Sequence, residues 1–393
     1  MAYLGKSDLN VEAQLDAGNR LRVSQITTQL DIKQTHDIQP LFYDREEIGG
    51  ATQVYSNPDG GTTMAVTTTN DAAICQSKMF ASYFSGKSQF MEITFDGFGS
   101  QTDVIKRAGY FTSNSTTPFN SNKDGFWFES DGVGQSLVIE KNGVEILNVD
   151  QADWNEDVFS GRDWDNFTVL VVQFLYLGGT AIRFGFIDEG FIKWAHTYVH
   201  SGLVSSTFIT SPNKPIRYEI RSTGGAGSLT QICAQVASEG SVDEVGVVRT
   251  FDTGGIIDAN STGVTYALLG IRLKTAYKDV RVDTLKATIL ATTNDNFKYS
   301  LLLNPTVAGT FTYNDQTNSS LQLATGATAN TVTGGTQLVA GWAEANASSE
   351  SVIRSSLRLG STIDDTMDTL VLCVTPLSSN LGVYGSISIQ EFI

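Results

Sequence analysis

Apolar residues in this chain recur at every second position over short runs, and the runs stop at glycine, asparagine and aspartate. That is the pattern of strands joined by tight turns, and no helical period of comparable length competes with it. The sharpest case is Ser136-Leu137-Val138-Ile139-Glu140, then Lys141-Asn142-Gly143, then Val144-Glu145-Ile146-Leu147-Asn148-Val149. Asn-Gly readily takes the positive φ values of a two-residue turn, so this segment is a hairpin. A three-strand meander follows: Phe167–Leu177 turns at Gly178-Gly179-Thr180 into Ala181–Ile187, and Asp188-Glu189-Gly190 turns the chain again into Phe191–His200. The first of these strands is apolar at Val169, Leu170, Val171, Val172, Phe174 and Leu175, which predicts that both its faces are covered, as in the centre of a sandwich. Another hairpin is expected from Ile216–Arg221 and Leu229–Ala237 about Thr223-Gly224-Gly225-Ala226-Gly227-Ser228.

Extended along the chain, this pattern predicts an all-β protein in three parts. Residues 1–45 lack a core-sized apolar face and read as an extended arm, for attachment or contact between subunits. Its apolar residues Leu21, Val23, Ile26, Leu30, Ile32, Leu41 and Phe42 suit adding a strand to a neighbour or lying along an apolar groove, and an arm folded back over its own sandwich is the alternative. Residues 46–245 read as a β-sandwich of jelly-roll type. Residues 246–393 read as a smaller β-domain, with strands near Thr265–Arg272, Thr284–Thr292, Tyr299–Leu303, Thr336–Trp342, Thr369–Thr375 and Tyr384–Phe392. The low-complexity run Thr325-Gly326-Ala327-Thr328-Ala329-Asn330-Thr331-Val332-Thr333-Gly334-Gly335 reads as a surface loop of that domain. Tandem repeats and heptads are absent, which excludes a solenoid and a coiled-coil rod.

Charge narrows the partners. Lys plus Arg is 26 against 42 Asp plus Glu, a formal charge of −16, and charged residues are only 17% of the 393. A net negative field without a basic patch disfavours nucleic acid and anionic membrane. Cys75, Cys233 and Cys373 are odd in number and lie far apart, so they read as buried thiols of a protein made in reducing cytoplasm. The start of the chain, Met1-Ala2-Tyr3-Leu4-Gly5-Lys6-Ser7-Asp8, lacks the basic flank and apolar stretch of a secretory signal. The longest mainly apolar run, Phe167 to Leu177, is about half a membrane span.

Catalytic patterns are sparse: no nucleophile elbow, phosphate-binding loop or dinucleotide fingerprint occurs. His196 and His200 are four apart, but Thr197, Tyr198 and Val199 between them supply no glutamate base. On a strand, Trp194, His196, Tyr198 and His200 would share one face and pack there or project into a groove. The acidic cluster Asp150, Asp153, Glu156, Asp157, Asp163 and Asp165, broken by Trp154, Arg162 and Trp164, reads as a solvated loop between strands. Calcium is the alternative, with Asp150, Asp153, Glu156 and Asp157 as its ligand candidates, although their spacing is not that of an EF-hand. A pair of carboxylates flanking a sugar is a further alternative for the same residues. In Phe126-Trp127-Phe128 the phenylalanines face a core, and Trp127 faces the other way, toward packing or a sugar or protein partner. No catalytic or cofactor-binding residue follows from these patterns.

Several segments, taken in order, resemble a widespread family of virion structural proteins from tailed bacteriophages and related viral genomes. They are Asp16-Ala17-Gly18-Asn19-Arg20-Leu21-Arg22-Val23-Ser24, Gln39-Pro40-Leu41-Phe42-Tyr43-Asp44, Lys106-Arg107-Ala108-Gly109-Tyr110-Phe111, Asp124-Gly125-Phe126-Trp127-Phe128, Ile182-Arg183-Phe184-Gly185-Phe186, Ser211-Pro212-Asn213-Lys214-Pro215-Ile216-Arg217-Tyr218-Glu219-Ile220 and Ser238-Glu239-Gly240. Looser similarity continues through Leu301-Leu302-Leu303-Asn304-Pro305-Thr306-Val307 and Ser356-Leu357-Arg358-Leu359-Gly360-Ser361-Thr362, while Trp154–Asp165 is shorter and more acidic than in many members. The resemblance implies a non-enzymatic capsid- or tail-attached decoration or fibre protein, assembled in the host cytoplasm and located in the virion. It implies contacts with other virion proteins and with copies of itself, a trimer by analogy with phage fibres, and it supplies no cofactor. Recognition of a host-surface glycan is the alternative function, and a glycan depolymerase a more distant one.

Overall fold

The computed structural model describes residues 17, 25–114, 119, 122–176, 180–240, 246–293, 295–344, 348–352 (backbone only), 358–378 and 380–393. The chain divides into two compact units, Met1–Asp243 and Glu244–Ile393, so the boundary lies two residues from the one the sequence pattern predicts. The described residues are all-β apart from short 3-10 turns.

The described residues of the first unit hold fifteen strands: β1 (Ile26–Lys33), β2 (Tyr43–Ile48), β3 (Thr52–Ser56), β4 (Gly61–Val66), β5 (Ala72–Ser77), β6 (Gln89–Asp96), β7 (Val104–Thr112), β8 (Asp124–Ser130), β9 (Gln135–Lys141), β10 (Val144–Asp150), β11 (Thr168–Leu175), β12 (Ala181–Asp188), β13 (Phe191–Val199), β14 (Ile216–Ser222) and β15 (Gly227–Glu239). They form two antiparallel sheets. One runs β13-β12-β11-β6-β15-β4-β3, with β1 also on β15, and the other runs β10-β9-β8-β7-β14-β5-β2. Alternate residues of the two sheets meet in one core: Met91, Ile93, Phe95, Leu170, Val172, Phe174, Phe184 and Phe186 from the first, Tyr110, Phe126, Phe128, Leu137, Ile139, Tyr218 and Ile220 from the second. The Phe126 ring lies 5.1 Å from that of Phe174 and 6.0 Å from that of Phe184, so aromatic edges interlock across the layers. Each such ring withdrawn from water contributes about 1.5–3 kcal/mol.

The β9–β10 hairpin turns through Asn142 (φ 48°) and Gly143 (φ 77°), the geometry its sequence demands. The meander β11-β12-β13 is also as expected, with its second turn at Glu189 and Gly190, both at positive φ. The glycines expected at its first turn, Gly178 and Gly179, lie outside the described residues. Every residue of β11 except Val169 is buried, so both faces of that strand are covered.

Three expectations are corrected. The described part of residues 1–45 is no free arm: β1 pairs in register with Cys233–Glu239 of β15, Leu30 and Ile32 enter the core, and β2 pairs with β5. The chain thus satisfies this segment's main-chain donors with its own sheet. Residues 1–16 and 18–24, which carry the rest of that expectation, lie outside the described residues. Secondly, β14 and β15 are not a hairpin. Residues 223–226 carry the chain from one sheet to the other, because β14 is already paired on both edges, by β5 and β7, and β15 by β6 and β4. Thirdly, a bulge in β13 sets Phe184 opposite His196 but Gly185 opposite Trp194. The extra residue, Ala195, puts Trp194 on the face opposite Tyr198, which lies across from the core residue Ile182.

The second unit holds β16 (Val247–Asp252), β17 (Ile257–Ala259), β18 (Tyr266–Leu273), β19 (Arg281–Ala291), β20 (Phe297–Leu303), β21 (Thr306–Val307), β22 (Asn314–Asp315), β23 (Leu321–Thr325), β24 (Val332–Thr333), β25 (Thr336–Ala343), β26 (Ser348–Val352), β27 (Thr369–Pro376) and β28 (Leu381–Phe392). Its sheets run β16-β28-β19-β26 (with β17 on β28) and β22-β23-β18-β27-β20-β25, and β21 pairs with β24. Leu268, Ile271, Ile289, Leu301, Leu372, Val383 and Ile387 lie in its core. The low-complexity run, expected as a surface loop, is only partly one: Val332 and Thr333 form β24, Gly326 N donates to Leu268 O and Val332 N to Thr265 O, and buried Asn330 donates to Ala308 O and Thr310 O and accepts from Ala327 N.

All three cysteines are free. Cys75 and Cys373 are buried, and burial pushes both thiols up to about 12, whereas Cys233 is only half-buried. Among the described residues no helix is long and apolar enough to cross a membrane.

Because Val171 is fully buried, Val171→Asp places an unpaired carboxylate inside the first unit, at a cost of at least about 3 kcal/mol. The variant is expected to be insoluble or to lose its cooperative thermal transition. A soluble variant with the wild-type melting temperature would show that β11 does not hold the unit together.

Candidate functional site

The acidic segment is the crossover from β10, at the edge of the seven-stranded sheet, to β11 in the middle of the other. Its aromatic residues decide its course. Trp164 packs against Phe186 at 4.8 Å, Phe128 at 4.9 Å and Trp154 at 6.0 Å, and Phe159 joins the same cluster against Phe186 at 5.5 Å. The indole Nε1 of Trp164 donates to Gln151 Oε1 at 3.0 Å, and its backbone carbonyl accepts from Phe98 N at 2.9 Å. With the rings inside, the carboxylates are left at the surface.

There they close the edge of β13. Glu156 N donates to Ala195 O at 3.1 Å and Asp157 N to Trp194 O at 2.8 Å, while Asn155 exchanges hydrogen bonds with the Thr197 backbone. The Glu156 carboxylate accepts from Arg183 Nε at 3.1 Å and Nη2 at 2.6 Å and from the Thr197 hydroxyl, and the guanidinium lies 4.4 Å over the Trp194 ring. Burial pushes Glu156 up, but these donors outweigh it and hold the carboxyl below its ordinary value. An acidic strip on an otherwise free strand edge also repels another chain's strand.

The calcium candidates are therefore dispersed. Asp150 ends β10, Asp153 lies in an exposed 3-10 turn, Glu156 is engaged by Arg183, and Asp157 is on the β13 edge. Among the described residues no three His, Cys, Asp or Glu side chains are grouped so as to hold a metal. His196 is buried, and burial pushes its pKa down against the pull of Glu156. His200 is held by the Tyr198 hydroxyl at 2.9 Å and by Ser206 O.

Trp127 also turns out to be packed. It is fully buried on the outer face of the seven-stranded sheet, beside Phe111 and Val138. Gly109 lies opposite it, and a Cβ there would come within 2.5 Å of the Trp127 Cβ. Trp127 Nε1 donates to Glu129 Oε2 at 3.0 Å, Arg107 bridges Glu129 at 2.5 Å and Glu219 at 3.1 Å, and Arg217 holds Glu219 at 2.6 Å and Gln76 at 2.6 Å. Burial alone would lower the Arg107 pKa, but the two carboxylates raise it above its ordinary value. Two arginines and two glutamates thus neutralise one another within the network. The sequence carried a signal for this network, the alternation Arg217-Tyr218-Glu219-Ile220-Arg221 of charged and apolar residues along one strand.

Where the crossover leaves β13 it walls an open pocket of about 570 Å³, lined by Val158, Phe159, Arg162, Asp163, Asn166, Phe167, Asp188 and Lys193 among others. Asp188 takes Arg162 Nη1 at 3.3 Å on Oδ1 and Lys193 Nζ at 2.6 Å on Oδ2. The Lys193 hydrogen bond is the main reason Asp188 lies below its ordinary pKa. Phe167, 60% exposed, stands on the rim. Sequence reading named Arg162 and Asp163 as part of the acidic segment, but Asp188 and Lys193 come from the next turn and reach the pocket only through the fold.

For Glu156 the sign of the pH effect follows from its lowered pKa. Its pairing with Arg183 stabilises the unit above the ordinary glutamate value of about 4.5 and is lost as the pH falls through the lower folded value. Glu156→Gln is expected to lower the melting temperature at pH 7 by about 2–4 °C, for a partly exposed pair contributing about 1 kcal/mol, and to shrink that difference near pH 3. An equal difference at both pH values would contradict the pairing.

No family model matches the chain, and no curated protein does. Among solved structures, the β-glucanase of Bacillus licheniformis is 9% identical, with 56% of this chain and 100% of the other covered at a TM-score of 0.37. A legume lectin-like domain from Entamoeba histolytica is 10% identical, with 56% and 100% covered and a TM-score of 0.36. A carbohydrate esterase from the Shiga toxin-encoding bacteriophage phi24B is 10% identical, with 55% and 100% covered and a TM-score of 0.35.

Proposed function

We propose that this chain is a non-enzymatic structural component of a bacteriophage virion, a capsid- or tail-attached decoration or fibre protein whose β-units act as packing and recognition surfaces. The observation that supports the non-enzymatic part is how five carboxylates are engaged. Glu156 and Asp188 are held below their ordinary values by cations, and Asp71 by the backbone amides of Gly50, Thr68 and Thr67. Glu129 and Glu219 are locked into the arginine network. Glycoside hydrolysis requires the reverse, a carboxyl kept protonated by a raised pKa opposite an ionised partner. The virion setting rests on the ordered resemblance of segments from Asp16 to Thr362, and self-association, a trimer by analogy with phage fibres, belongs to the same proposal. Glycan recognition is the second reading, and the pocket beside Phe167 favours it.

Two measurements test this reading together. Incubation with host envelope polysaccharide is expected to release no reducing ends, and mass spectrometry of purified particles is expected to find the protein at a fixed copy number. New reducing ends that disappear in Asp153→Ala or Glu156→Ala would overturn the first part, and absence from particles would overturn the second.

A further inference from the structure

The pocket at the edge of the first unit has a chemistry of its own, independent of any virion setting. Its charged groups are arranged as a ladder: Arg162, Asp188 and Lys193 are joined through the two oxygens of one carboxylate, and Glu189 lies 3.8 Å from Lys193. Beside the ladder, Asp163 accepts from Asp165 N and from Asn166 Nδ2, both at 3.0 Å. Donors and acceptors thus alternate over the pocket wall, each fixed by its neighbour. Arg162 is also held from below, its guanidinium 4.8 Å over the Trp164 ring and 5.6 Å over the Phe186 ring. Phe159 is buried beneath the wall, and Phe167 leaves most of its ring in water at the rim.

This arrangement sorts ligand classes. An anion would have to take Arg162 and Lys193 away from Asp188 and Glu189, in a chain whose formal charge is −16. A metal would find no group of three ligating side chains among the described residues. An apolar ligand would strip water from five charged side chains and gain little more than Phe167 and Val158 in return. A neutral saccharide meets none of these obstacles. Each hydroxyl both donates and accepts, so neighbouring hydroxyls can bridge one cation and one carboxylate of a fixed pair without separating them. The C–H face of the ring stacks on an exposed aromatic side chain, and about 570 Å³ lies within the ~300–1,000 Å³ usual for small-molecule sites.

We infer that the pocket formed by Arg162, Asp163, Phe167, Asp188 and Lys193 is a binding site for a neutral, uncharged-sugar oligosaccharide, with Phe167 as stacking platform and the Arg162–Asp188–Lys193 ladder as hydroxyl partner. The ladder also sets specificity, because Asp188 silences the two cations that would otherwise attract acidic sugars.

The test uses the full chain and a panel of neutral gluco-, galacto- and N-acetylhexosamine oligosaccharides together with sialylated and uronic-acid-containing ones. Binding is followed by titration calorimetry and by intrinsic tryptophan fluorescence, to which Trp164 under Arg162 contributes with the four other tryptophans. The wild type is expected to bind at least one neutral member and to prefer neutral over acidic members. Phe167→Ala is expected to weaken that binding about tenfold with no change in melting temperature. Phe191→Ala, an equally exposed phenylalanine outside the pocket lining, should bind as the wild type does. Asp188→Asn should lose the neutral ligand and gain affinity for acidic members. Failure to bind any member, a wild-type preference for acidic sugars, or full affinity in Phe167→Ala would each overturn the assignment. Because particle composition plays no part in these readouts, their failure leaves the structural role of the chain to its own test.

Discussion

The burial of Trp164 between the two sheets is the interaction on which the rest of the first unit's functional edge depends. An indole at 5% exposure, packed on Phe128 of one sheet and Phe186 of the other, closes the side of the core where the sheets would otherwise gape. A crossover between sheets has to pass that side in any case. Placing Trp154, Phe159 and Trp164 along it makes the connection part of the core. Once these rings face inward, Asp153, Glu156, Asp157, Asp163 and Asp165 are left at the surface, where the last strand of the eight-stranded sheet offers a free edge and Arg183, Arg162 and Lys193 offer charge.

From that one constraint the electrostatics of the edge follows. The edge carbonyls of β13 at Trp194 and Ala195 accept from the amides of Asp157 and Glu156, the Thr197 amide donates to Asn155, and the carboxylate of Glu156 is neutralised by an arginine that also covers Trp194. Where the crossover departs from the strand, the same kind of pairing lines the pocket walls. A cation beneath the crossover shows the cost of tying it down. Lys106, fully buried, donates to Gly99 O at 3.0 Å and to Gly97 O. The loop holding those carbonyls is hydrogen-bonded in turn to Trp164 O and to Asp165. Burial pulls Lys106 down to about 8 despite the nearby charge of Asp165. The ammonium is retained because two carbonyls would otherwise be stranded in the core.

How far the sequence could be read depended on whether the deciding interaction was local. Asn142-Gly143 and the glycine of Glu189-Gly190 mark their turns by backbone preference, and the doubly apolar run from Val169 to Leu175 announces a strand covered on both faces. Six strands of the second unit, β18, β19, β20, β25, β27 and β28, were legible for the same reason, whereas β16, β17, β21 to β24 and β26 were not read. The step from β14 to β15 was not, because a glycine-rich connection suits a hairpin and a change of sheet equally, and only the prior pairing of both strands decides between them. Leu30 and Ile32 carried a period-two signal too short to show that β15 had an edge waiting for them. One bulged residue, Ala195, was enough to reverse the face of Trp194 relative to Tyr198, and no local feature marks it. At the site, the acidic cluster and Arg162 were visible as composition. Their division between strand edge and pocket wall is a matter of long-range partners, Arg183 in one case and Asp188 with Lys193 in the other.

The central claim is that the acidic crossover is held by buried aromatic rings and by pairing with a strand edge, with no need of a bound cation. Amide hydrogen exchange at Glu156 and Asp157, measured in the presence of a calcium chelator and again with calcium in excess, tests it most directly. The account predicts that both amides, bonded to Ala195 O and Trp194 O, are protected in the chelator to the same degree as with calcium. Amides that exchange at the rate of an open loop until calcium is added would contradict it.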